Sequence, residues 1–217
     1  MVQSGRRLSG RQDSVTVLSS QNRTPAVIET TALIVFAYLL GSISSAILLS
    51  KLMGFQDPRS EGSKNPGATN VLRIAGKKAA FLTLVGDCLK GFIPVVAGII
   101  WFDSALVLAL TAFAAFAGHC FPVFFGFRGG KGVATAIAAT VAFDWQVGLA
   151  LIAIWLLFAR VFRISSLAAI ISFTALPALV YWRVPDFEVV GVFVAMSAIL
   201  IWRHRSNIAR LLSGTEG

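Results

Sequence analysis

The chain has 217 residues and a formal net charge of +9, yet only 13% of its residues are charged and 56% are hydrophobic. Soluble domains average about a quarter charged residues, so a mean hydropathy of +0.78 excludes an ordinary soluble domain and points to an all-α, polytopic membrane protein. Length leaves room for roughly seven helices of about 20 residues and no separate soluble domain; the basic residues sit in short segments between apolar runs, so membrane lipid, and no nucleic acid, is the expected macroscopic partner.

Residues 1–28 are polar, with Arg6, Arg7, Arg11 and Arg23 among Ser, Gln and Thr. No apolar stretch of useful length precedes Thr30, which argues against a cleavable signal peptide and for a disordered basic tail. The membrane domain is expected over residues 29–212, with 213–217 a short C-terminal tail. Its first span runs from about Thr30 to Leu52. The small-residue run Gly41-Ser42-Ile43-Ser44-Ser45-Ala46 within it suits close helix packing better than chemistry.

A polar island from Met53 to Lys78 follows. Its centre, Gly62-Ser63-Lys64-Asn65-Pro66-Gly67-Ala68-Thr69-Asn70-Val71-Leu72-Arg73, is built on a turn in which Pro66 presets φ and Gly67 tolerates positive φ. Hydroxyls (Ser63, Thr69), amides (Asn65, Asn70), cations (Lys64, Arg73) and freed backbone N–H groups are what an anion requires. For one such island the plain alternative is a solvated loop. A second island of the same character weakens that alternative.

The second span covers about Ala79 to Trp101. Asp87 and Lys90 lie three apart on one helix face, where they can pair. A charge pair inside a membrane must face protein or water, so this helix lines the site or locks the bundle, with the lock favoured. The third span, about Ser104 to Phe125, ends in Gly118-His119-Cys120-Phe121-Pro122. The second island comes next: Gly126-Phe127-Arg128-Gly129-Gly130-Lys131-Gly132-Val133-Ala134-Thr135.

That island is not a Walker A loop, which needs four residues between its glycines and Ser or Thr after the Lys; here Gly132 follows Lys131. His119 and Cys120 are sequence neighbours that point about 100° apart on a helix, so they make no nucleophile dyad. Cys88 and Cys120 are isolated in apolar segments, and two His and two Cys at unrelated spacings suggest neither a disulfide nor a metal site. No cofactor is expected. What remains is an anion-holding site suited to a reaction whose substrates arrive activated, where holding and orienting them supplies most of the rate.

The apolar run Val133 to Phe143 decides the topology. It is too short to cross a hydrocarbon core of about 30 Å as a straight helix. If it crosses in a thinned or sheltered place, Lys51 to Lys78, Arg128 to Lys131, Arg160 to Arg163 and Arg203 to Arg210 all share one side. The opposite loops then carry Asp103, Asp144, Asp186 and Glu188, with Arg183 alone among the cations, as the positive-inside rule requires. Further spans run from about Gln146 to Phe162, Leu167 to Trp182 and Phe187 to Trp202. The expectation is a seven-transmembrane-helix bundle, N-terminus outside and C-terminus cytoplasmic, with every polar motif on the cytoplasmic face.

The stretches 62–73 and 118–135 closely resemble motifs of the acyl-phosphate-dependent glycerol-3-phosphate acyltransferases of bacterial membranes, and Gly41–Ala46 and Arg203–Leu211 are similar to that family as well. The resemblance covers about Ala32 to Leu212. Two positions depart from the usual pattern: Lys64 stands where Gly is common, and Arg128 where Lys is common. The resemblance implies transfer of a fatty acyl group from acyl phosphate to the 1-hydroxyl of glycerol 3-phosphate at the cytoplasmic face of the bacterial inner membrane. Its products are lysophosphatidic acid and inorganic phosphate, the first step of phospholipid synthesis.

By that resemblance Lys131, Arg73, His204 and Asn207 are the catalytic set. Ser63, Asn65, Thr69 and Asn70 hold a phosphate or the glycerol hydroxyls, the Gly129-Gly130 backbone steadies the other phosphate, and Ser166 completes the pocket. His119 is placed in the substrate-binding set too, balanced between an orienting group and a structural hydrogen bond. With few acids at this face, no protein base is expected beside the attacking hydroxyl, and the acceptor's own phosphate takes the proton. A transporter of phosphorylated anions and a basic lipid-docking scaffold are the competing readings. No internal repeat supports the first, and the glycine spacing and paired asparagines stay unexplained by the second. Acyl-chain preference and oligomeric state, a monomer being compatible, are left open.

Overall fold

The computed structural model describes residues 27–216. The expected disordered tail therefore lies outside the described residues, save Val27 and Ile28, which begin the first helix. Among the described residues the protein is all-helical.

The first expected span is two helices, α1 (Val27–Gly41) and α2 (Ser45–Met53), bent by 40° at the small-residue run. The run is there for packing. A Cβ at Gly41 would overlap the Ala115 carbonyl of α4 (Ala105–Cys120), and one at Gly118 of α4 would overlap the Tyr38 carbonyl. The two helices thus lie backbone to backbone, as small residues permit in a membrane. Two buried serines satisfy themselves locally: Ser42 Oγ of the run donates to Tyr38 O at 2.8 Å, and Ser50 Oγ of α2 donates to Ile47 O at 2.8 Å, which avoids an unpaired hydroxyl in an apolar interior at those positions.

Helix α3 (Ala68–Trp101) is 34 residues long and starts well before the expected Ala79. Residues 68–78, part of the first polar island, are its opening turns. They are set off by a kink at Gly76, whose φ of 80° is accessible to a residue without a Cβ. Asp87 and Lys90 pair across 3.0 Å with side chains 4% and 5% exposed. Lys90 Nζ also donates to Ile43 O at 2.8 Å, clamping α3 to the corner between α1 and α2. The charge pair is a lock, as favoured, and the other reading holds as well, since Asp87 also borders a cavity.

After α4 come a 3-10 turn at Val123–Phe125, the short α5 (Val133–Phe143), α6 (Trp145–Phe162), α7 (Ser165–Arg183) and α8 (Phe187–Arg203), then α9 (Arg205–Leu212), bent 56° from α8. Phe116, Leu151, Phe173, Leu176, Phe193, Met196 and Leu200, from α4, α6, α7 and α8, form the main core. On the outside Leu156, Leu157 and Val161 of α6 are more than half exposed, an apolar surface of the kind a lipid-facing helix presents.

By length and apolarity four helices can cross a bilayer, and six spans result if each bent pair counts as one. The remaining expected span, α5, has 11 residues, about 16 Å at 1.5 Å per residue, which falls short by length. It is enclosed by α3, α4 and α6, and Gly91 of α3 makes the approach possible, since a Cβ there would overlap the Thr135 carbonyl. Its far end is fixed. Asp144 accepts from Gln146 N at 2.9 Å and Val147 N at 3.0 Å, capping α6, and pairs with Arg183 Nε at 3.2 Å, where α7 ends.

Candidate active site

One end of the bundle brings together the starts of α3, α5, α7 and α9 and the ends of α4, α6 and α8. There a cavity of about 830 Å³ opens. Its polar half is lined by Ser63, Asn65, Thr69, Asn70, Arg73, His119, Lys131, Ser166, His204 and Asn207, and its apolar half by Leu72, Phe81, Leu84, Val133, Ile137 and Trp155. Ten of the twelve residues expected at the site meet here. Gly129 lines a second cavity behind the loop, and Gly130 lines neither.

The loop 126–132 carries Lys131 into the cavity. Its shape depends on glycine at several places, Gly129 among them, where a Cβ would overlap the His119 carbonyl. Gly132 has φ +83°, and its face lies against the Phe116 ring and Cys120. A Cβ at Gly130 would collide with the His119 imidazole. Gly130 N donates to His119 O at 3.2 Å, while Arg203 donates from Nη2 to Gly129 O at 2.6 Å and from Nε to Gly130 O at 3.1 Å. Gly129 and Gly130 therefore serve as the loop's anchor points, with both carbonyls occupied by Arg203. His119 is the wall behind them: its Nδ1 lies 3.3 Å from Thr135 Oγ1 and 3.6 Å from Asp87 Oδ1. It borders the cavity and props the loop at once.

Lys131 Nζ donates to Asn207 Oδ1, and Asn207 Nδ2 donates to Glu216 Oε1. Glu216 also accepts from Ser166 Oγ at 2.6 Å and from Arg210 Nε at 2.6 Å. Both ends of the Asn207 amide are thus committed to protein partners, and it aims the lysine. Burial pushes the Lys131 ammonium down to about 8, with Arg210, Arg203 and Arg73 adding to the effect and Glu216 opposing it. His204 is 2% exposed and its Nδ1 lies 2.8 Å from Leu200 O. A carbonyl only accepts, so Nδ1 carries the hydrogen and Nε2 is left as the acceptor.

Asn70 is spent on its own loop. Its Oδ1 accepts from Ser63 N at 2.8 Å and its Nδ2 donates to Pro58 O at 2.9 Å and Glu61 O at 3.0 Å. It holds the stretch 58–63 over the first turn of α3 and so presents Ser63 and Thr69. Arg73 projects from that same helix into the cavity, while Lys64 turns to the second cavity.

The residue sequence reading missed is Glu216, placed in a tail of no assigned role. Its one signal was that it is the only acid after Glu188, in a C-terminal stretch otherwise basic. Asp87 and Arg210 also reach the cavity wall. Asp57, by contrast, is held by Arg59 at 2.7 Å and lines the second cavity.

Residues 31–214 match the family model described as glycerol-3-phosphate acyltransferase. Relatives of that name include proteins of Methylococcus capsulatus, 50% identical over 184 residues (85% of this chain and 93% of the relative), and of Thioalkalivibrio sulfidiphilus, 50% identical over 185 residues (85% and 91%). The fold is similar to crystal structures of an integral membrane glycerol 3-phosphate acyltransferase. Its glycerol 3-phosphate form superposes with a TM-score of 0.82 at 42% identity, covering 87% of this chain and 94% of that one. A second crystal form of that protein is its lysophosphatidic acid form, with a TM-score of 0.80.

Proposed function

From the premise that the chain belongs to the glycerol-3-phosphate acyltransferase family, we propose that it transfers a fatty acyl group from acyl phosphate to the 1-hydroxyl of glycerol 3-phosphate. The hydroxyl oxygen bonds to the acyl carbon, the bond from that carbon to the phosphate oxygen breaks, and lysophosphatidic acid and inorganic phosphate leave. The observation that carries this reading is the divided cavity. Arg73, Lys131 and Arg210 stand at a polar end, and Phe81, Leu84, Ile137 and Trp155 line an apolar wall against which an acyl chain can lie. A transporter of small phosphorylated anions has no use for an apolar wall of that extent.

In this reading Lys131 and Arg73 hold the two phosphates close together and offset the charge that grows on the leaving phosphate. Ser63, Asn65 and Thr69 supply the hydroxyl and amide contacts to the glycerol, with Ser166 at the opposite wall. His204 Nε2 accepts from a glycerol hydroxyl and orients it, Asn207 aims Lys131, and Asn70, Gly129, Gly130 and His119 fix the two loops. An acyl phosphate already has a good leaving group, so a covalent acyl-enzyme is unnecessary. The proton passes to the phosphate of the acceptor. Asp87 is engaged with Lys90, and Glu216 with Ser166, Asn207 and Arg210, which supports leaving both carboxylates out of the proton transfer.

The same proposal includes a cytoplasmic-side site in the bacterial inner membrane, with seven crossings, N-terminus outside and C-terminus inside. Support for α5 as the short crossing is the Asp144–Arg183 pair, which ties its end to the far end of a 19-residue helix that starts at the site. The test is incubation of purified protein with palmitoyl phosphate and glycerol 3-phosphate. Phosphate release matched by lysophosphatidic acid is expected. Movement of glycerol 3-phosphate into vesicles without phosphate release would replace the transferase by a transporter.

A further inference from the structure

Behind the loop that carries Lys131 lies a second cavity, about 560 Å³, lined by Arg59, Lys64, Arg128, Arg203, Asp57, Ser60 and the Phe127 ring. The stretch 62–67 is the partition between the two chambers: Ser63 and Asn65 face the first and Lys64 the second. Four cations meet one carboxylate here, and that carboxylate, Asp57, is already bound to Arg59. Arg203 is occupied with the Gly129 and Gly130 carbonyls and lies over the Phe121 ring. Lys64 and Arg128 have no side-chain hydrogen bond or ion pair among the described residues.

Two features separate this cavity from a solvated basic surface. Three described non-glycine residues have positive φ, and two of them, Lys64 (55°) and Phe127 (61°), line it. A left-handed backbone at a lysine carries a cost that glycine would avoid. The charge is held in place against a local preference, as happens where a side chain has work to do. The second feature is its border. Phe127 is 58% exposed, and Phe124 and Val123 of the adjoining 3-10 turn are 59% and 40% exposed, while the Phe125 ring backs Arg59. A cationic chamber with an apolar lip matches an amphiphile whose phosphate enters and whose chains stay outside.

We propose that this second cavity binds the phosphate head group of an anionic phospholipid, with Lys64 and Arg128 as its two principal ligands. A phosphate monoester, bearing close to two charges at neutral pH, fits two unsatisfied cations better than a diester does.

The full-length protein in neutral detergent is titrated with short-chain phosphatidic acid, phosphatidylglycerol, phosphatidylcholine and inorganic phosphate, and binding is read by native mass spectrometry and by Tm. Phosphatidic acid is expected to bind most tightly and phosphatidylcholine not to compete. Each lost cation weakens phosphatidic acid binding about fivefold, so Lys64→Gly with Arg128→Gln weakens it about 25-fold. Lys64→Gly alone raises the lipid-free Tm, because the strain goes with the charge, which shows that the loop still folds. Lys131→Ala keeps phosphatidic acid binding intact, which separates this site from the first cavity. Equal phosphatidic acid affinity in wild type and the double variant overturns the proposal, as does displacement of phosphatidic acid by an equal concentration of inorganic phosphate.

Discussion

The ammonium of Lys131 is held by the side-chain carbonyl of Asn207, 76 residues away in sequence, and the other end of that amide is held by Glu216. The link runs from the glycine-rich loop through the first turn of α9 to the C-terminal tail.

If Asn207 acts by aiming the lysine, its loss and the loss of Lys131 are not independent. Lys131→Ala is expected to lower kcat/KM by about 10²–10³, the usual scale for one donor to developing charge. Asn207→Ala is expected to cost about tenfold to a hundredfold. The double variant should be no worse than Lys131→Ala, because the aimed group is already gone. Additive losses in steady-state kinetics would separate the two roles.

Burial brings the Lys131 ammonium down to about 8, which makes the alkaline limb of activity a property of this residue. In free protein kcat/KM should fall as pH rises through about 8, when the positive charge is lost. Lys131→Arg should keep the charge and flatten that limb. Stability moves the other way. Between about 8 and the ordinary lysine value of 10.5 the unfolded chain binds more protons, so folding gains with pH. A Tm that does not drop while activity drops is the expected signature.

Glu216 feels an upward push from burial that hydrogen bonds from Ser166, Asn207 and Arg210 outweigh, so its carboxyl is held below the usual glutamate range. A group lowered on folding contributes stability above its unfolded value and loses it as pH falls through the folded one. Acidification below the carboxylate range should therefore lower the Tm of the wild type more than that of Glu216→Gln. At neutral pH Glu216→Ala should raise the KM for glycerol 3-phosphate several-fold through a loosened Asn207 and Arg210.

Asp87 and Lys90 are a buried pair, and half of a buried pair is worse than none. Asp87→Leu leaves Lys90 charged and unmatched, at a cost of about 3–5 kcal/mol. Asp87→Leu with Lys90→Met should recover most of that in thermal unfolding, and it should still show reduced activity because His119 loses the carboxylate 3.6 Å from its Nδ1.

Gly91→Ala is expected to cost about 1–3 kcal/mol, the range for overpacking a close contact, since its Cβ would overlap the Thr135 carbonyl. The displaced α5 begins at Val133, two residues past Lys131, so activity in detergent should fall by more than the loss of folded protein explains.

The membrane class and the anion chemistry could be read from the chain alone because both are properties of local composition. Apolar runs that fill most of a chain point to a membrane, and two glycine, amide and cation islands together suit holding anions better than a solvated loop does. Short-range geometry was legible too: Asp87 and Lys90 pair because a spacing of three puts them on one helix face, and Gly41 packs because it lacks a side chain. The start of α3 at Ala68 was hidden, since polar residues such as Thr69, Asn70 and Arg73 look alike on a loop and on a helix that faces a cavity. Only the tertiary structure could decide that Asn70 serves its own loop, that Lys64 leaves the first chamber for the second, and that Glu216 closes on Asn207. Those outcomes depend on how the loop folds over the start of α3 and how the tail folds back over α9, and no spacing along the chain encodes that.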